Sequence, residues 1–295
     1  MIEIDLIRAV GRLNSAPIRK ILNPGLHRFL SRWWARRGDG RVVPAELFFG
    51  RRMNVVLPEV VSEQIFTYGL FDDAVSWLAV KAVKPGDTVL DIGAHFGYFT
   101  LLFSELVGKS GKVIAFEPTP STYGLLKGNV ASYPNIVAEN LALGRECGEA
   151  ELSDHGLKYC AWNSLAQESR LGDLPPGISP TKVAVGLVSV DDYVRQNKLA
   201  PGLMKIDAEN FEAEVILGAE HTLRTHAPTI IMETGSDAAL LAGGHLIEMG
   251  YQVFVSEGCG RLEHWSSDLA SANSKFKDML FVPPSRMDGF LRSAQ

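Results

Sequence analysis

Three acidic residues each end an apolar segment, and their side chains could bind a ligand. Asp91 ends the run TVLD, Glu117 ends KVIAFE, and Asp207 ends LMKID. Such runs predict buried strands, and ligands of open α/β sheets bind beyond the carboxyl ends of the strands. The sequence therefore predicts one site at which the three carboxyl groups lie close together.

The turn that follows Asp91 favours a ligand without phosphate groups. Gly93 and Gly97 would let the chain bend sharply and a ligand approach the backbone. A dinucleotide site needs three glycines, in the pattern G-x-G-x-x-G, to seat a pyrophosphate at a helix N-terminus. Only two are present, and Asp91 would repel a pyrophosphate. Glu117 stands where an acid commonly accepts hydrogen bonds from ribose hydroxyls. The pattern favours S-adenosylmethionine, which carries an ammonium and a sulfonium, over a nicotinamide dinucleotide.

The elements that position these residues form an α/β pattern from Asp87 onward. Apolar, β-branched runs alternate with amphipathic segments, which predicts a doubly wound, mostly parallel, seven-stranded sheet covered on both faces. The predicted strands are 88–93, 112–117, 135–143, 203–208, 229–234, 251–256 and 278–283. The predicted helices are 96–107, 119–132, 210–225 and 236–249. The stretch 144–202 breaks this rhythm, and we predict an insertion that forms a lid or a substrate wall.

We predict that residues 1–56 form an N-terminal extension to an α/β domain over 57–295. Apolar residues at helical spacing predict helices within the first forty residues, and 41–56 is strand-like. The basic helices, with Trp33 and Trp34, could pack on their own domain or on a second subunit in a homodimer. Peripheral contact with an anionic membrane and a solvated segment are the alternatives.

Charge and cysteine content exclude several classes of protein. The first forty residues carry a net charge of +5, and the remaining 255 carry −10, which argues against nucleic-acid binding by the main domain. The sequence has no apolar run long enough to span a bilayer and no secretory signal at its start. Three cysteines match no metal-ligand spacing, so we expect reduced thiols, a cytoplasmic protein and no structural zinc.

Several segments resemble the FkbM family of methyltransferases, in the family's order and with similar spacing. They are DIGAHFGY (91–98), FEP (116–118), VDD (190–192), KIDAENFE (205–212) and PTIIMET (228–234). The resemblance covers about 60–285 and implies a Rossmann-like class I methyltransferase fold. It also implies S-adenosylmethionine as methyl donor, S-adenosylhomocysteine as product, and a hydroxyl of a sugar, glycan or small metabolite as acceptor. Methylation of an amino sugar or small amine, and a nucleotide-binding module without catalysis, are the alternatives.

The resemblance implies the residues of the site. Cofactor contacts are expected from the residues of the turn, the second strand end, the third strand end, the insertion and the KID segment, namely Asp91, Gly93, Ala94, His95, Gly97, Tyr98, Glu117, Pro118, Asn140, Ser164 and Asp207. Asn140 stands where class I methyltransferases usually contact adenine. Substrate contacts are expected from Tyr68, Trp162 and Glu233.

The sequence departs from the family at two positions. His95 stands where the family often has Asn, and Asn210 stands where a Gly usually follows KIDVE. Asn tolerates a left-handed backbone better than most residues, so a tight turn at 210 can persist. For His95, a catalytic role and a role that only organises the turn are equally open.

Asp207 is the main candidate for the chemistry. It could orient the acceptor hydroxyl, accept its proton, or hold a divalent cation with Glu209 or Glu233. Methyl transfer from a sulfonium is an in-line displacement that alignment and exclusion of water can accelerate, so no catalytic triad is required. Glu209 and His95 are the further catalytic candidates, and an Mg²⁺ site is open but not expected.

Overall fold

The computed structural model describes residues 2–15, 40–166, 178–256, 259, 262–265, 269 and 276–294. Its strands are β1 (Arg41–Glu46), β2 (Arg52–Leu57), β3 (Thr88–Ile92), β4 (Lys112–Phe116), β5 (Ile136–Glu139), β6 (Ala142–Gly144), β7 (Gly148–Asp154), β8 (Thr181–Ser189), β9 (Pro201–Ile206), β10 (Thr229–Glu233), β11 (Gln252–Val255), β12 (Glu263–Trp265) and β13 (Asp278–Val282). Its helices are α1 (Ile2–Ser15), α2 (Val60–Tyr68), α3 (Asp73–Ala82), α4 (Tyr98–Val107), α5 (Pro120–Val130), α6 (Val190–Asn197), α7 (Glu212–Leu217), α8 (Glu220–His226), α9 (Asp237–Glu248) and α10 (Met287–Ala294). Single 3₁₀ turns cover Cys160–Trp162 and Pro284–Arg286.

The central sheet has the strand order β12-β11-β13-β10-β9-β3-β4-β5. From β10 to β5 all neighbours are parallel, and β13 runs antiparallel to both β10 and β11. Seven of these strands are the predicted ones, so the doubly wound α/β fold is confirmed, and β12 adds a short eighth strand. The chain builds outward from β3 to β5 and then returns to the other side of β3 as β9. The switch point of the sheet therefore lies between β3 and β9.

Two predicted elements are divided in the structure, and the single-element predictions for them are wrong. The predicted strand 135–143 ends in the central sheet at Glu139, and β6 pairs instead with β8 in a separate sheet of order β6-β8-β7. The predicted helix 210–225 divides into α7 and α8. Gly218 lies at the division, where an added Cβ would be 1.9 Å from the Gly144 carbonyl oxygen. The backbone of this corner therefore packs directly against β6.

The stretch 144–202, predicted as an insertion, contributes β7, β8 and α6. β8 pairs antiparallel with the whole of β7 through residues 181–187 and parallel with β6 through residues 187–189. α6 follows directly, with the Ser189 hydroxyl accepting a hydrogen bond from the Asp192 amide at its N-terminus. Asp191 of the VDD segment accepts hydrogen bonds from the amides of His221 and Thr222, at 2.9 and 2.7 Å. Its carboxylate therefore caps α8, where the helix dipole favours an anion.

The described N-terminal residues pack against the main core. Leu6 on α1 is fully buried, and Glu3 forms a 2.6 Å ion pair with Lys81 of α3. The hairpin of β1 and β2 follows, and Asn129 of α5 binds it by donating to the Asn54 carbonyl and accepting from the Asn54 amide. The same Asn129 side chain also donates to the Phe96 carbonyl at 2.8 Å.

The predicted basic segment with Trp33 and Trp34 lies within 16–39, outside the described residues. In the described part of the chain, the helices are all too short or too polar to cross a membrane.

Candidate functional site

A cavity of about 390 Å³ opens at the carboxyl ends of β3, β4 and β9, at the switch point of the sheet. The segments 92–96, 116–119 and 207–209, which end or follow these strands, line it, and we call them the strand-end wall. A second set of lining residues comes from 60–65 at the start of α2 and from 160–165, and we call it the outer wall. The three predicted acidic strand ends thus meet at one place.

Two loops of the strand-end wall, the one after β3 and the one after β9, contact each other through their backbones. The Asp207 amide donates to the Ile92 carbonyl at 3.1 Å. Gly93 has a φ of +77°, and an added Cβ would lie 1.8 Å from the Asp207 carbonyl oxygen. Only glycine fits this conformation and this separation. The glycine of the turn is therefore required by the neighbouring loop as well as by any ligand.

The amides of the turn are used within the protein. The N–H groups of Gly93 and Ala94 both donate to the Phe116 carbonyl at 3.0 Å. The His95 N–H donates to the Glu117 carboxylate, also at 3.0 Å. His95 has a φ of +52°, a conformation in which Asn and His are both enriched, so the family's Asn and this His fit the same backbone. At Asn210 the expected left-handed conformation is present, with a φ of +73°.

Glu117 is buried and fixed from two sides. Besides the His95 amide, its carboxylate accepts a hydrogen bond from the Thr119 amide at 3.0 Å. Burial raises the pKa of Glu117 to about 7, although these hydrogen bonds oppose the shift. The Glu117 carboxyl group thus lines the cavity and loses its proton near neutral pH.

Asp91 lies beneath the cavity and is fully buried. One carboxylate oxygen accepts a 2.6 Å hydrogen bond from Thr100, and the other is 3.8 Å from the Lys205 ammonium. Burial raises the pKa of Asp91, and Lys205 and Thr100 oppose that rise. Lys205 also forms a 3.2 Å ion pair with Asp207, and it lies over the Phe99 ring. One buried ammonium therefore joins two of the predicted acids.

The carboxyl groups of Asp207 and Glu233 form a hydrogen-bonded pair with opposite pKa shifts. For Asp207, burial favours a higher pKa, but Lys205 and the bond from Glu233 outweigh it and lower the pKa to about 2. For Glu233, burial and the Asp207 charge raise the pKa to about 9. The pair holds a single proton between these values, and that proton is on Glu233. Lys277 lies 3.2 Å from the other side of Glu233.

The remaining predicted residues occupy different places. Tyr98, Pro118, Trp162, Ser164 and Glu209 line the cavity. Ser164 donates to the Glu209 carbonyl at 2.6 Å, so it joins the insertion to the turn after β9.

The side chains of Asn140 and Tyr68 lie outside the lining of the cavity. The Asn140 amide donates to the carbonyls of Glu117 and Pro118, which supports the break between β5 and β6. Tyr68 is partly exposed at the end of α2. For all of these positions the roles in binding stay predictions.

Three functional candidates were not recognised in the sequence. Lys205 could have been found, because the period of two along a strand puts it on the same face as Asp207. Lys277 has no such signal, since its strand lies far along the chain. Glu59, which approaches His95 from the start of α2, also has none.

The match to known families agrees with this geometry. A family model described as the methyltransferase FkbM domain matches residues 91–253, more than half of the chain. The chain belongs to the FkbM methyltransferase family. The matched range begins at Asp91 and includes Glu117, Asp207 and Glu233.

Individual relatives are distant. The 31-O-demethyl-FK506 methyltransferase FkbM of Streptomyces tacrolimicus is 25% identical over 163 residues, which are 47% of this chain and 61% of that protein. An arsenite methyltransferase of Halobacterium salinarum is 31% identical over 128 residues, 40% of this chain and 30% of that protein. The crystal structure of methyltransferase FkbM from Methylobacillus flagellatus KT has a TM-score of 0.44 at 13% identity, covering 70% of this chain and 50% of that chain. The chain thus spans less than two thirds of each relative.

Proposed function

We propose that this FkbM-family chain transfers a methyl group from S-adenosylmethionine to a hydroxyl of a sugar, a glycan or a small metabolite. The observation that carries the proposal is that the amides of the turn at 93–95 are hydrogen-bonded within the protein. Its three N–H groups donate to the Phe116 carbonyl and to the Glu117 carboxylate. A dinucleotide site would direct such amides at a pyrophosphate. A nucleoside without phosphates needs no such donors, and Glu117 is available to its ribose.

The charges around the cavity support a cationic ligand. Asp207, Glu209 and Glu233 line one region of it, and the two lining lysines each lie 3.2 Å from a carboxyl group, Lys205 from that of Asp207 and Lys277 from that of Glu233. A pyrophosphate would have to compete with these carboxylates for the two ammonium groups. The ammonium and sulfonium of S-adenosylmethionine would instead be attracted to them.

The low pKa of Asp207 supports one of the roles considered for it. A carboxylate with a pKa of about 2 is a weak base at neutral pH, so removal of the acceptor proton before methyl transfer is unfavourable. The ionised carboxylate can accept a hydrogen bond from the acceptor hydroxyl and hold its oxygen towards the methyl group. We therefore assign Asp207 an orienting role. As the new C–O bond forms, the C–S bond of S-adenosylmethionine breaks, S-adenosylhomocysteine leaves, and the acceptor proton, made acidic by the transfer, passes to water.

The structure offers Asp207, Glu209 and Glu233 as a candidate divalent-cation site, with one ligand atom from each within 4.8 Å of the others. Mg²⁺ prefers charged oxygen ligands that are not already paired. Here Lys205 is paired with Asp207, and Glu233 keeps its proton up to a pKa of about 9. We propose methyl transfer without Mg²⁺, and addition of EDTA should leave the rate unchanged.

Calorimetric titration tests the proposal. The wild-type chain should bind S-adenosylhomocysteine and S-adenosylmethionine at one site per chain, and NAD should give no heat. Glu117→Gln should weaken the binding, and Glu149→Gln, an exposed acid of β7, is the matched control. Binding of NAD without binding of S-adenosylhomocysteine would overturn the methyltransferase assignment.

The acceptor is tested separately, by incubation with labelled S-adenosylmethionine and panels of hydroxylated sugars and of amino sugars. Label in an ether product would support the proposal. Label only on nitrogen would replace it with the amine alternative. Contacts with a membrane or with a second subunit, and a cytoplasmic location, stay predictions.

A further inference from the structure

A second cluster of ligating groups, distinct from the Asp207 acids, lies where the outer wall meets the strand-end wall. It consists of the Glu59 carboxylate, the His95 imidazole and the Cys160 thiol, whose candidate ligand atoms all lie within 4.8 Å of one another. They come from the start of α2, from the turn after β3 and from the 3₁₀ turn of the insertion. His95 Nε2 and Cys160 Sγ are 3.0 Å apart.

The carboxylate of this cluster is buried without a cation. Glu59 is 1% exposed and accepts hydrogen bonds from the amides of Val61 and Ser62 at 3.0 and 2.7 Å. Within the described part of the chain, no lysine or arginine forms an ion pair with it. Buried charges in proteins are generally paired or coordinate a metal. The two amides account for one hydrogen bond to each oxygen and leave the remaining lone pairs for another ligand.

The other two groups can accept a metal. Burial lowers the pKa of His95, so the imidazole is neutral and one ring nitrogen keeps a lone pair. Burial raises the pKa of Cys160, so the free protein holds a thiol. A metal converts such a thiol to a thiolate, because metal coordination favours the deprotonated form.

We propose that Glu59, His95 and Cys160 bind a zinc ion between the strand-end wall and the outer wall of the cavity. One thiolate, one imidazole and one carboxylate form a mixed set of ligands that suits Zn²⁺. Bonds of about 2.0–2.3 Å in tetrahedral geometry put ligand atoms about 3.3–3.8 Å apart, so the three side chains need shifts of about 1 Å or less. On binding, the Cys160 S–H bond breaks, the S–Zn bond forms, and one proton per ion goes to solvent.

Three protein ligands leave the fourth position of a tetrahedral zinc open. His95 and Cys160 line the cavity, so a water or an oxygen of a molecule in the cavity would fill this position. Metal binding alone, without a measurement of methyl transfer, tests the site.

Metal binding is measured on the full chain after dialysis against a chelator. We expect one Zn²⁺ per chain by mass spectrometry of the metal content, and one proton released per ion in weakly buffered solution. With Co²⁺ as the probe, a thiolate-to-metal charge-transfer band should appear. Cys160→Ser should abolish the band and weaken Zn²⁺ binding at least tenfold, since even indirect contacts to a metal are worth roughly 10- to 100-fold.

Two further variants separate the cluster from other ligands. Cys147→Ser, which removes an exposed thiol, should keep the band and the affinity. His95→Asn should weaken binding and keep the thiolate band, because the residue fits the same left-handed backbone. Retention of the band in Cys160→Ser, or equal Zn²⁺ content in wild type and Cys160→Ser, would overturn the proposal. Far-ultraviolet circular dichroism and the urea midpoint of each metal-free variant check that it is folded.

Discussion

The two walls of the cavity are built in different ways. In the strand-end wall, main-chain contacts fix the acidic residues, since the loops after β3, β4 and β9 bind one another through amides and carbonyls. In the outer wall, the segments 60–65 and 160–165 come from far apart in the chain and present mainly side chains. The first wall cannot change without moving the sheet, whereas the second can change by substitution. The first wall is therefore suited to a fixed cofactor, and the second to a particular acceptor.

The sharpest test of this difference is a substitution that adds a methyl group to the strand-end wall. Gly93→Ala puts a Cβ 1.8 Å from the Asp207 carbonyl oxygen in a left-handed conformation. We expect the free energy of unfolding to fall by roughly 2–6 kcal/mol, with loss of cofactor binding. Urea denaturation measures the first and calorimetry the second. Gly124→Ala is the control, because its Cβ meets no atom within 4 Å on α5 and should stabilise the helix slightly. Equal stability of the two variants would show that the loops separate readily.

Asp207→Asn tests whether the residue that orients the acceptor also lies in the strand-end wall. Loss of the ionised carboxylate beside Lys205 should lower kcat by about 100-fold, because the acceptor oxygen is no longer held in line. The dissociation constant of S-adenosylhomocysteine should change less than twofold. Steady-state kinetics and calorimetry provide the two values. A loss of cofactor affinity would instead assign Asp207 to cofactor binding, and a larger kcat loss in Glu209→Gln would move the chemistry to Glu209.

The pH dependence of cofactor binding tests the role of Glu117. Burial raises its pKa to about 7, so below this pH the free protein holds a neutral carboxyl group. If the ionised form accepts the ribose hydrogen bonds, affinity should rise with pH by up to about tenfold per unit and level off above pH 7. Titrations between pH 5.5 and 8.5, on the order of one unit either side of that pKa, measure the slope. Glu117→Gln should bind weakly at every pH, and an unchanged slope in that variant would assign the titration to another group.

The smallest expected effect lies in the outer wall. Trp162→Ala removes a lining side chain whose ring packs edge-on against Tyr159 at 6.2 Å. We expect the acceptor KM to rise by about tenfold, with kcat and cofactor affinity nearly unchanged, because the side chain would bind ground state and transition state alike. Tyr159→Ala removes the same ring contact from outside the cavity and is the control. Equal effects of the two variants would mean that Trp162 supports the loop and does not bind the acceptor.

More of the strand-end wall than of the outer wall was predictable from the sequence, which pointed only to Trp162 and Ser164 in the outer wall. Continuous apolar runs predicted the seven strands, because strands buried on both faces leave no polar positions except at their ends. For the same reason, Asp91, Glu117 and Asp207 could be identified in the sequence as polar residues at strand ends. The Glu59, His95 and Cys160 cluster has no spacing to recognise, since the fold alone brings its three segments together. Asn140 is polar at a strand end as well, but its amide donates to the carbonyls of Glu117 and Pro118, which follow β4.

Asn129 connects parts of the molecule that the chain order separates. Its side chain bonds the hairpin at Asn54 and the turn at Phe96 from a single position on α5. If the hairpin detaches, the Asn129 side chain loses both of its bonds to Asn54, which costs free energy for each buried group left unpaired, and only the bond to the Phe96 carbonyl then holds its amide. The hairpin and the glycine turn should consequently open as one cooperative unit. Ligand binding in the cavity would then depend on the folded hairpin, although the hairpin contributes none of the acidic residues of the cavity.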